Sequence, residues 1–147
     1  MNKKAITIVF LIGLAVLSVS ILYVRLREEK NVGQVNWLFD YDAGVAKAGA
    51  ENKIVLIDFY ADWCSWCKVL DQETYGNREV ASYLNEKFVC IKVDADSNAS
   101  LSKNYNVTGL PTIVFLSSSG KEVGRILGYV SSNLFLTNAK NIASRYG

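Results

Sequence analysis

A continuous apolar run leads directly into a pair of cysteines, and this arrangement constrains the fold more than any other feature. Residues Ile54–Tyr60 read Ile-Val-Leu-Ile-Asp-Phe-Tyr, which predicts a strand at the centre of a sheet that is covered on both faces. Cys64 and Cys67 follow at the start of a predicted helix that runs from Ser65 to Thr74. A buried strand that enters a helix through a short turn indicates an α/β protein.

The position of Cys64 at a helix N-terminus favours a reactive thiolate. Unpaired backbone N–H groups and the positive end of the helix dipole both stabilise negative charge there. Cys67, one turn further on, is positioned to resolve a mixed disulfide formed by Cys64. A structural disulfide is the alternative, but closing a loop of about four residues stabilises a fold by only roughly 2 kcal/mol. We therefore predict redox chemistry, with an exposed Cys64 as nucleophile and a more buried Cys67 as resolving thiol.

Two further residues support this interpretation. Asp58 lies in the middle of the apolar strand, where burial would raise the pKa of its carboxyl group toward the range of a proton acceptor. The alternative is a buried carboxylate with a purely structural role. Pro111, the only proline in the chain, precedes a second apolar run, Thr112–Leu116. The Leu110–Pro111 bond is therefore a candidate cis peptide, and the alternative is an ordinary proline at a strand edge.

Taken together, these residues resemble the thioredoxin superfamily. The similarity rests on Ala61-Asp62-Trp63-Cys64-Ser65-Trp66-Cys67-Lys68, on Asp58 upstream and on Val107-Thr108-Gly109-Leu110-Pro111-Thr112 downstream, and it covers roughly residues 37–146. Within the superfamily, residues 73–80 resemble a segment of the C-terminal domain of the thiol:disulfide interchange protein DsbD. The resemblance implies a thioredoxin-like α/β fold, a central mixed β-sheet with helices on both faces.

The resemblance also implies roles for residues around the cysteines. Asp71 falls where the DsbD group carries an acidic residue close to the cysteines, and the alternative is a solvated residue of the helix. A substrate-binding surface is expected from four residues, among which a cis proline would let neighbouring backbone pair with an extended peptide. These four are Trp63, Trp66, Leu110 and Pro111.

Two positions depart from the pattern of thioredoxins. Ser65 and Trp66 replace the usual Gly-Pro, and Trp66 has a backbone N–H that could donate to the Cys64 sulfur. Cys90 stands, in our alignment, where many thioredoxins carry a lysine near the buried aspartate. We therefore expect Asp58 to lack a cationic neighbour, which would raise its pKa further. Cys90 itself is expected to be inert packing, and a third redox-active thiol is the alternative.

The N-terminal segment Ala5–Val24 is twenty uncharged, mostly apolar residues, long enough to cross a hydrocarbon core of about 30 Å. An uncleaved signal anchor fits better than a cleaved signal peptide, because residues 21–24 continue the apolar run beyond the small residues Ser18 and Ser20. A buried soluble helix is a further alternative. We predict an anchor and short tether over residues 1–30 and a thioredoxin-like domain over residues 31–147.

The orientation of this anchor does not follow from the charges on its two sides, which are nearly balanced. The DsbD resemblance implies that the catalytic domain lies outside the cytoplasm, where disulfides form. For the rest of the chain, hydrophobic periodicity predicts helices and strands. The first predicted helix spans residues 43–50 and also includes Trp37 and Phe39. Further helices are predicted over residues 79–86, 99–105 and 131–146. A strand is predicted over residues 88–93, and a hairpin over residues 112–116 and 122–127.

Composition excludes several classes of function. The net charge of the 147 residues is +2, but residues 31–147 hold 11 Lys and Arg against 12 Asp and Glu, which argues against nucleic-acid binding. The chain has no histidine, so imidazole base catalysis and metal sites that need histidine are excluded. We expect one catalytic domain, a monomer, with no cofactor and no metal.

These features predict a membrane-anchored thiol:disulfide oxidoreductase that exchanges disulfides with exported proteins. The resemblance implies that it acts as a reductant and takes electrons at Cys64 and Cys67 from a membrane reductant protein. Two alternatives remain open. One is a metal-delivery module that binds its cargo through the two thiolates, and the other is a redox-silent chaperone that uses the groove beside Pro111.

Overall fold

The computed structural model describes residues 3–30 and 33–146. The chain divides into two compact units, Met1–Val32 and Gly33–Gly147. Helix α1 (Lys3–Lys30) lies in the first unit, and its described side chains, those of residues 10–23, are exposed. Among the described residues, no helix has the length and hydropathy needed to cross a membrane. The predicted anchor also includes residues 5–9 and 24, whose side chains lie outside that description.

A five-stranded mixed sheet forms the centre of the second unit. Its strands, in spatial order, are β1 (Trp37–Leu38), β3 (Phe88–Asp94), β2 (Ile54–Tyr60), β4 (Thr112–Leu116) and β5 (Glu122–Leu127). Strand β3 pairs in parallel with both β1 and β2, whereas β4 is antiparallel to β2 and to β5. The mixed sheet and the late hairpin agree with the architecture expected from the sequence.

Helices cover both faces of this sheet. They are α2 (Tyr41–Glu51), α3 (Ser65–Val69), α4 (Arg78–Lys87), α5 (Ala99–Asn104) and α6 (Ser132–Tyr146), and a π-helical segment, Leu70–Tyr75, continues α3. The single helix predicted from Ser65 to Thr74 is therefore an α-helix that widens into a π-helix. The next helix, α4, starts afresh, because the Asn77 side chain caps it by accepting from the backbone N–H groups of Glu79 and Val80.

The prediction for residues 37–50 was wrong in one respect. Trp37 and Leu38 form strand β1, opposite Cys90 and Ile91 of β3, and do not belong to the first helix. Helix α2 begins only at Tyr41, where Asp40 accepts a hydrogen bond from the Ala43 N–H at 2.9 Å. A strand of two residues is too short to show the alternation from which strands are predicted, which is why sequence periodicity misses it.

Strand β2 separates two apolar clusters. Alternate residues of a strand point to opposite faces, so Ile54 and Leu56 contribute to a cluster with residues of the π-helical segment, α4 and α6. We call this the α3 face. Val55, Ile57 and Phe59 pack on the other side, with residues of α2 and α5, and we call this the α2 face. Asp58 has the parity of Ile54 and Leu56 and therefore points to the α3 face.

Helix α2 lies very close to the sheet on the α2 face. Gly44 permits this approach, since a Cβ atom at that position would lie 2.5 Å from Cδ1 of the fully buried Ile91. Any other residue at this position would force the helix away from β3 or displace the Ile91 side chain. The α2 face is thus packed to the limit that a glycine allows.

Candidate active site

Cys64 and Cys67 form a disulfide at the start of α3, with their Cα atoms 5.3 Å apart. Cys64 occupies the N-cap position, and its sulfur accepts a hydrogen bond from the backbone N–H of Cys67 at 3.1 Å. The predicted donor, the N–H of Trp66, does not make this bond. An N-cap side chain can reach the third helical residue, and here that residue is the resolving cysteine itself.

The prediction that Cys64 is exposed was also wrong. Cys64 is 4% exposed and Cys67 is 3% exposed, so the two cysteines are buried alike. Ala61, Tyr60 and Leu110 pack against the pair. In the disulfide form, each sulfur is also covered by the other, which removes the difference in accessibility expected from the loop before the helix.

The Leu110–Pro111 peptide bond is cis, which confirms the prediction. Leu110 contacts the cysteine cluster, so this loop lies beside the disulfide. Two hydrogen bonds hold the loop: the Thr112 hydroxyl donates to the Gly109 carbonyl at 2.7 Å, and the Gly128 N–H donates to the Pro111 carbonyl at 2.8 Å. The predicted substrate-binding loop is therefore fixed to the end of the β4–β5 hairpin.

Two exposed tryptophans neighbour the cysteines in the chain. The indole N–H of Trp63 donates to the Asp96 carboxylate at 2.8 Å. The ring of Trp66 lies 5.7 Å from the ring of Tyr129, whose hydroxyl donates to the Glu73 carboxylate at 2.6 Å. Both indoles are therefore held in place although they are exposed, and they present apolar area beside the motif.

Asp58 is 1% exposed, and one of its oxygens, Oδ2, lies 3.6 Å from the Lys92 ammonium. Burial raises the pKa of Asp58 to about 7, against the lowering effect of the Lys92 charge, and the nearby charge of Asp71 raises it further. The prediction of a buried carboxyl group with an elevated pKa is confirmed. A group with this pKa can take up or release a proton near neutral pH.

The expectation that Asp58 has no cationic neighbour was wrong. In the register of β2 and β3, Cys90 pairs with Leu56 and Lys92 pairs with Asp58. Residues 90 and 92 point to the same face because they are two apart in the strand. The sequence alignment therefore assigned the lysine to the right face of β3 but placed it at residue 90, two residues before its actual position at residue 92.

Lys92 is buried, and four groups surround its ammonium group. Both carboxylate oxygens of Asp71 lie 2.6 Å from its Nζ, and the rings of Trp37 and Tyr60 lie 5.4 Å and 4.7 Å away. Asp58 is the fourth. Aromatic faces and two carboxylates together compensate the charge for its lost hydration.

Asp71 joins this cluster to solvent. Its side chain is 41% exposed while its carboxylate binds Lys92, so it is not merely a solvated residue of the helix. Asp58, Lys92 and Asp71 form a continuous series from the core to the surface, which we call the charged network. It opens into a cleft of about 570 Å³ between residues 33–35, Trp37, Phe39, Tyr60 and the π-helical segment.

The structure reveals a further polar residue beside the network that the sequence reasoning missed. Among the described residues, Asp58 Oδ1 and the Tyr75 hydroxyl are buried polar atoms without a hydrogen-bond partner. Tyr75 is the last residue of the π-helical segment, and it lines the cleft together with Asp71 and Lys92. No sequence pattern announces a π-helix, so the direction of this side chain could not be predicted.

Cys90, the third cysteine, is free and buried in the apolar cluster of the α3 face. Burial raises the pKa of its thiol, and the charge of Asp58 adds to this effect. A thiol that stays protonated is a poor nucleophile, which favours the packing interpretation. In the described part of the chain, no group of three or more acidic or cysteine side chains is arranged to hold a metal ion.

Comparison with known proteins places this site in a family. A family model described as Thioredox_DsbH, a protein of unknown function, DUF255, matches residues 19–122. The chain belongs to the Thioredox_DsbH family. The match covers β1 to β4 and includes the cysteine motif, the charged network and the cis proline.

Relatives with curated names point the same way as the Thioredox_DsbH match. The thiol:disulfide interchange protein DsbD of Pseudoalteromonas atlantica is 33% identical over 111 residues, which are 71% of this chain and 19% of that protein. DsbD of Actinobacillus pleuropneumoniae is 40% identical over 93 residues, which are 59% of this chain and 16% of that protein. The chain thus spans about a fifth of the length of the curated relatives that it matches.

Solved structures show the same fold. A thioredoxin from Thermus thermophilus superimposes with a TM-score of 0.70 and 27% identity, over 78% of this chain and 91% of that chain. A structure described as DsbH oxidoreductase gives a TM-score of 0.66 and 20% identity over 78% and 88%. These comparisons confirm the thioredoxin-like fold, and together with the cysteine pair they confirm the predicted enzyme class, a thiol–disulfide oxidoreductase.

Proposed function

We propose that this protein is a membrane-anchored reductant of disulfides in exported proteins. The main support is the placement of a disulfide that closes the start of α3 on the same side of the sheet as a buried carboxyl group with a pKa of about 7. The DsbD relatives are much longer than this chain. The electron donor and the substrates that we propose for this protein are therefore drawn by analogy with them.

The cysteine pair passes two electrons to the substrate in two steps. In the reduced protein, the Cys64 thiolate attacks one sulfur of the substrate disulfide, which forms a mixed disulfide and releases the first substrate thiolate. Cys67 then attacks the Cys64 sulfur, which restores the Cys64–Cys67 disulfide and releases the second substrate thiolate. The substrate disulfide is reduced and the cysteine pair is oxidised, so atoms and electrons balance.

The backbone of α3 favours the first step. The N–H of Cys67 that donates to the Cys64 sulfur stabilises negative charge on that sulfur more than it stabilises a neutral thiol. The same geometry keeps Cys67 one helical turn from its target. Attack and resolution therefore use a single, preorganised turn of helix.

Asp58 serves the second step. Cys67 must lose a proton before it attacks the mixed disulfide, and a carboxyl group with a pKa of about 7 can accept one near neutral pH. Lys92 and Asp71 connect this carboxyl group to the cleft. We propose that the proton moves from Cys67 to Asp58, through water where needed, and leaves by way of the charged network.

The substrate binds around the disulfide in this proposal. The exposed indoles of Trp63 and Trp66 offer apolar contacts, and the loop at Leu110–Pro111 offers backbone groups to an extended peptide. Disulfide-containing exported proteins and apocytochromes outside the cytoplasm are the substrate class that we favour, with a membrane reductant protein as electron source.

Helix α1 supports the proposed membrane anchor. Its apolar side chains between Phe10 and Tyr23 are exposed to solvent. The hydroxyls of Ser18 and Ser20 donate to the carbonyls of Ala15 and Val16, at 2.8 Å and 2.9 Å. In the hydrocarbon core of a membrane, the polar groups of a helix must be hydrogen-bonded within the helix itself. Both serine hydroxyls meet this requirement. The catalytic unit then acts on the extracytoplasmic side of the membrane.

Reduction of insulin disulfides by the full chain in detergent, with dithiothreitol as electron source, tests the catalytic proposal. Cys64→Ser is expected to abolish turnover, and Cys67→Ser to accumulate a mixed disulfide that survives non-reducing electrophoresis. Cys90→Ser is the matched control and is expected to retain full activity, since this thiol is buried away from the disulfide cluster. Normal turnover by Cys64→Ser would refute the assignment of the nucleophile.

Equilibration of the cysteine pair with glutathione buffers tests the direction of electron flow. A reductant of exported proteins should hold its disulfide form against a buffer in which strongly oxidising cysteine pairs are already reduced. A pair that becomes reduced as readily as that of an oxidant would overturn the reductant role and leave the exchange chemistry intact.

A further inference from the structure

Two unsatisfied atoms lie on the α3 face, and their chemistry is complementary. The Tyr75 hydroxyl and Asp58 Oδ1 have no hydrogen-bond partner among the described residues. The adjacent Thr74, by contrast, donates its hydroxyl to the Val130 carbonyl at 2.6 Å. Leaving a buried polar atom unpaired costs stability, and folded proteins rarely tolerate it. A phenol donates a hydrogen bond and a carboxylate oxygen accepts one.

The ring of Tyr75 is clamped, so its hydroxyl has a defined position. The rings of Trp37 and Phe135 pack edge to face against it, with centroids 4.9 Å and 5.5 Å away. Tyr75 also shares the walls of the cleft with Asp71 and Lys92, the two members of the charged network that join Asp58 to solvent. Tyr75 therefore borders the charged network at the cleft.

The phenol remains a donor at every pH at which the enzyme works. Burial raises the pKa of Tyr75 well above its ordinary value, and the negative charge of Asp58 is the next largest cause. Since the charge of Asp58 acts on Tyr75, the two groups lie within electrostatic reach of one another. Asp58 Oδ2 is directed to Lys92, which leaves Oδ1 as the acceptor that a donor from the Tyr75 side can satisfy.

We propose, on the basis of the disulfide-exchange function proposed above, that the Tyr75 hydroxyl donates a hydrogen bond through one bound water to Asp58 Oδ1 and so orients the carboxylate that takes the proton of Cys67. The cleft beside Tyr75 carries the charged groups of Asp71 and Lys92 in its wall and is large enough to admit a water molecule. Tyr75 is thus a positioning residue, which acts through Asp58 and does not touch the substrate.

This bond favours the ionised form of Asp58 and sets the pH at which resolution proceeds. The other titratable groups that act on Asp58 or feel its charge are Lys92 and Cys90 on β3 and Asp71 on the π-helical segment. All of them remain in a Tyr75→Phe variant. Loss of the hydroxyl alone should therefore raise the pKa of Asp58 by about half a unit to one unit, the worth of one hydrogen bond.

The two steps of exchange can be timed separately with dithiobis(nitrobenzoate). Full-length reduced protein in detergent releases one nitrothiobenzoate on attack by Cys64 and a second on resolution by Cys67. Tyr75→Phe is expected to shift the pH midpoint of the second phase upward by about half to one unit, and below the midpoint to slow it about three- to tenfold. The first phase should be unchanged.

Three variants make the result specific. Tyr83→Phe removes a phenol from α4 that packs on Phe88, outside the charged network, and should leave both phases unchanged. In an Asp58→Asn background, Tyr75→Phe should have no further effect on the second phase. An equal shift in that background, or an unchanged midpoint in Tyr75→Phe alone, would overturn the assignment.

A direct titration separates this inference from the proposed function. Carbon-13 NMR of the Asp58 carboxyl group in the oxidised full chain reports its pKa without turnover, and Tyr75→Phe should raise it. If the second nitrothiobenzoate is never released, the exchange function fails while the NMR titration still decides the role of Tyr75. A purely structural phenol predicts that Tyr75→Phe stabilises the fold with no change in the pKa of Asp58.

Discussion

The two faces of one strand differ more than any other two regions of this molecule. On the α2 face, β2 contributes Val55, Ile57 and Phe59 to a cluster of apolar residues. On the α3 face, the same strand contributes Asp58, paired with the buried Lys92. The buried polar residues near the α2 face, Ser102 and Thr112, carry only hydroxyls that bond to nearby carbonyls.

The two faces of the sheet therefore have different roles: the α2 face contributes mainly to stability, and the α3 face carries the groups that can take part in the chemistry. A closely packed apolar face stabilises the fold through burial, whereas a buried carboxylate and ammonium reduce stability unless they compensate one another fully. Because side chains alternate along a strand, neither face disturbs the packing of the other. We expect substitutions on the α2 face to change stability alone, and substitutions on the α3 face to change its dependence on pH.

The largest effect on stability is expected from Phe59→Ala. Phe59 is fully buried on the α2 face and packs on Tyr105 at 5.6 Å, so truncation should lower the free energy of unfolding by about 3–5 kcal/mol. Urea denaturation of the full chain measures this loss. Phe39→Ala, at an exposed phenylalanine, is the control and should stay within about 0.5 kcal/mol of the parent. Equal losses in both variants would contradict the packing of the α2 face.

Asp58→Asn is expected to stabilise the fold by an amount that grows with pH. Below about pH 4 the carboxyl group is protonated in the folded and unfolded states, and the variant should match the parent. Between pH 4 and 7 the unfolded state ionises while the folded state, with a pKa of about 7, does not, so the parent loses stability. Above pH 7 the variant should be more stable by roughly 4 kcal/mol.

Denaturation curves recorded from pH 4 to 8.5 test this prediction. Asp71, which binds Lys92 independently, keeps the lysine paired in the variant. The same substitution should slow the resolution of mixed disulfides while leaving initial attack by Cys64 nearly unchanged. Parallel stability curves for parent and variant across this range would show that Asp58 is a structural carboxylate, and the proton acceptor would then have to be sought at Asp71.

Lys92→Met should raise the pKa of Asp58, in the same direction as the burial of that carboxyl group. The Lys92 charge lowers the pKa of Asp58, so its removal should raise that pKa by about one to two units. The loss of stability with rising pH should then continue above pH 7, by roughly 1–2 kcal/mol relative to the parent. If the pKa of Asp58 is the same in Lys92→Met as in the parent, the pairing of β2 and β3 at this position would be refuted.

The smallest effect is expected at Gly44. A Cβ atom there would meet the buried side chain of Ile91, so Gly44→Ala should cost about 1 kcal/mol, the strain of overpacking reduced by the better helix propensity of alanine. Gly49→Ala, on the same helix with room for a Cβ, should instead be neutral or stabilising. A gain in both variants would mean that α2 lies less tightly on the sheet.

Sequence reasoning succeeded where long patterns or single chemical signals are enough. The apolar run of β2, the cysteine spacing and the lone proline led to the right strand, the right helix start and the right cis bond. It identified Asp58 because a carboxylate within an apolar strand is unusual in itself. Each of these features is carried by residues close to one another in the chain.

It failed where pairing across the sheet decides. Lysine is a residue type that usually lies on the surface, so the sequence alone does not mark Lys92 as buried. It belongs to the site because the register of β2 and β3 sets it opposite Asp58. Strand β1 exists because β3 offers an edge to pair with. The burial of Cys64 depends on Leu110, which is distant in sequence. All three features depend on contacts between residues that are distant in sequence, and a local sequence pattern does not contain this information.

The π-helical segment has a consequence for chain length. A π-helical turn takes up one residue more than an α-helical turn, because each N–H bonds to a carbonyl five residues back. Deletion of one residue between Asp71 and Tyr75 would let the segment close into an α-helix, with Cys64 and Cys67 unmoved. Tyr75 would then rotate by about 100° away from Trp37 and Phe135. Homologues shorter by one residue here should keep the disulfide and lack a phenol beside the buried carboxylate.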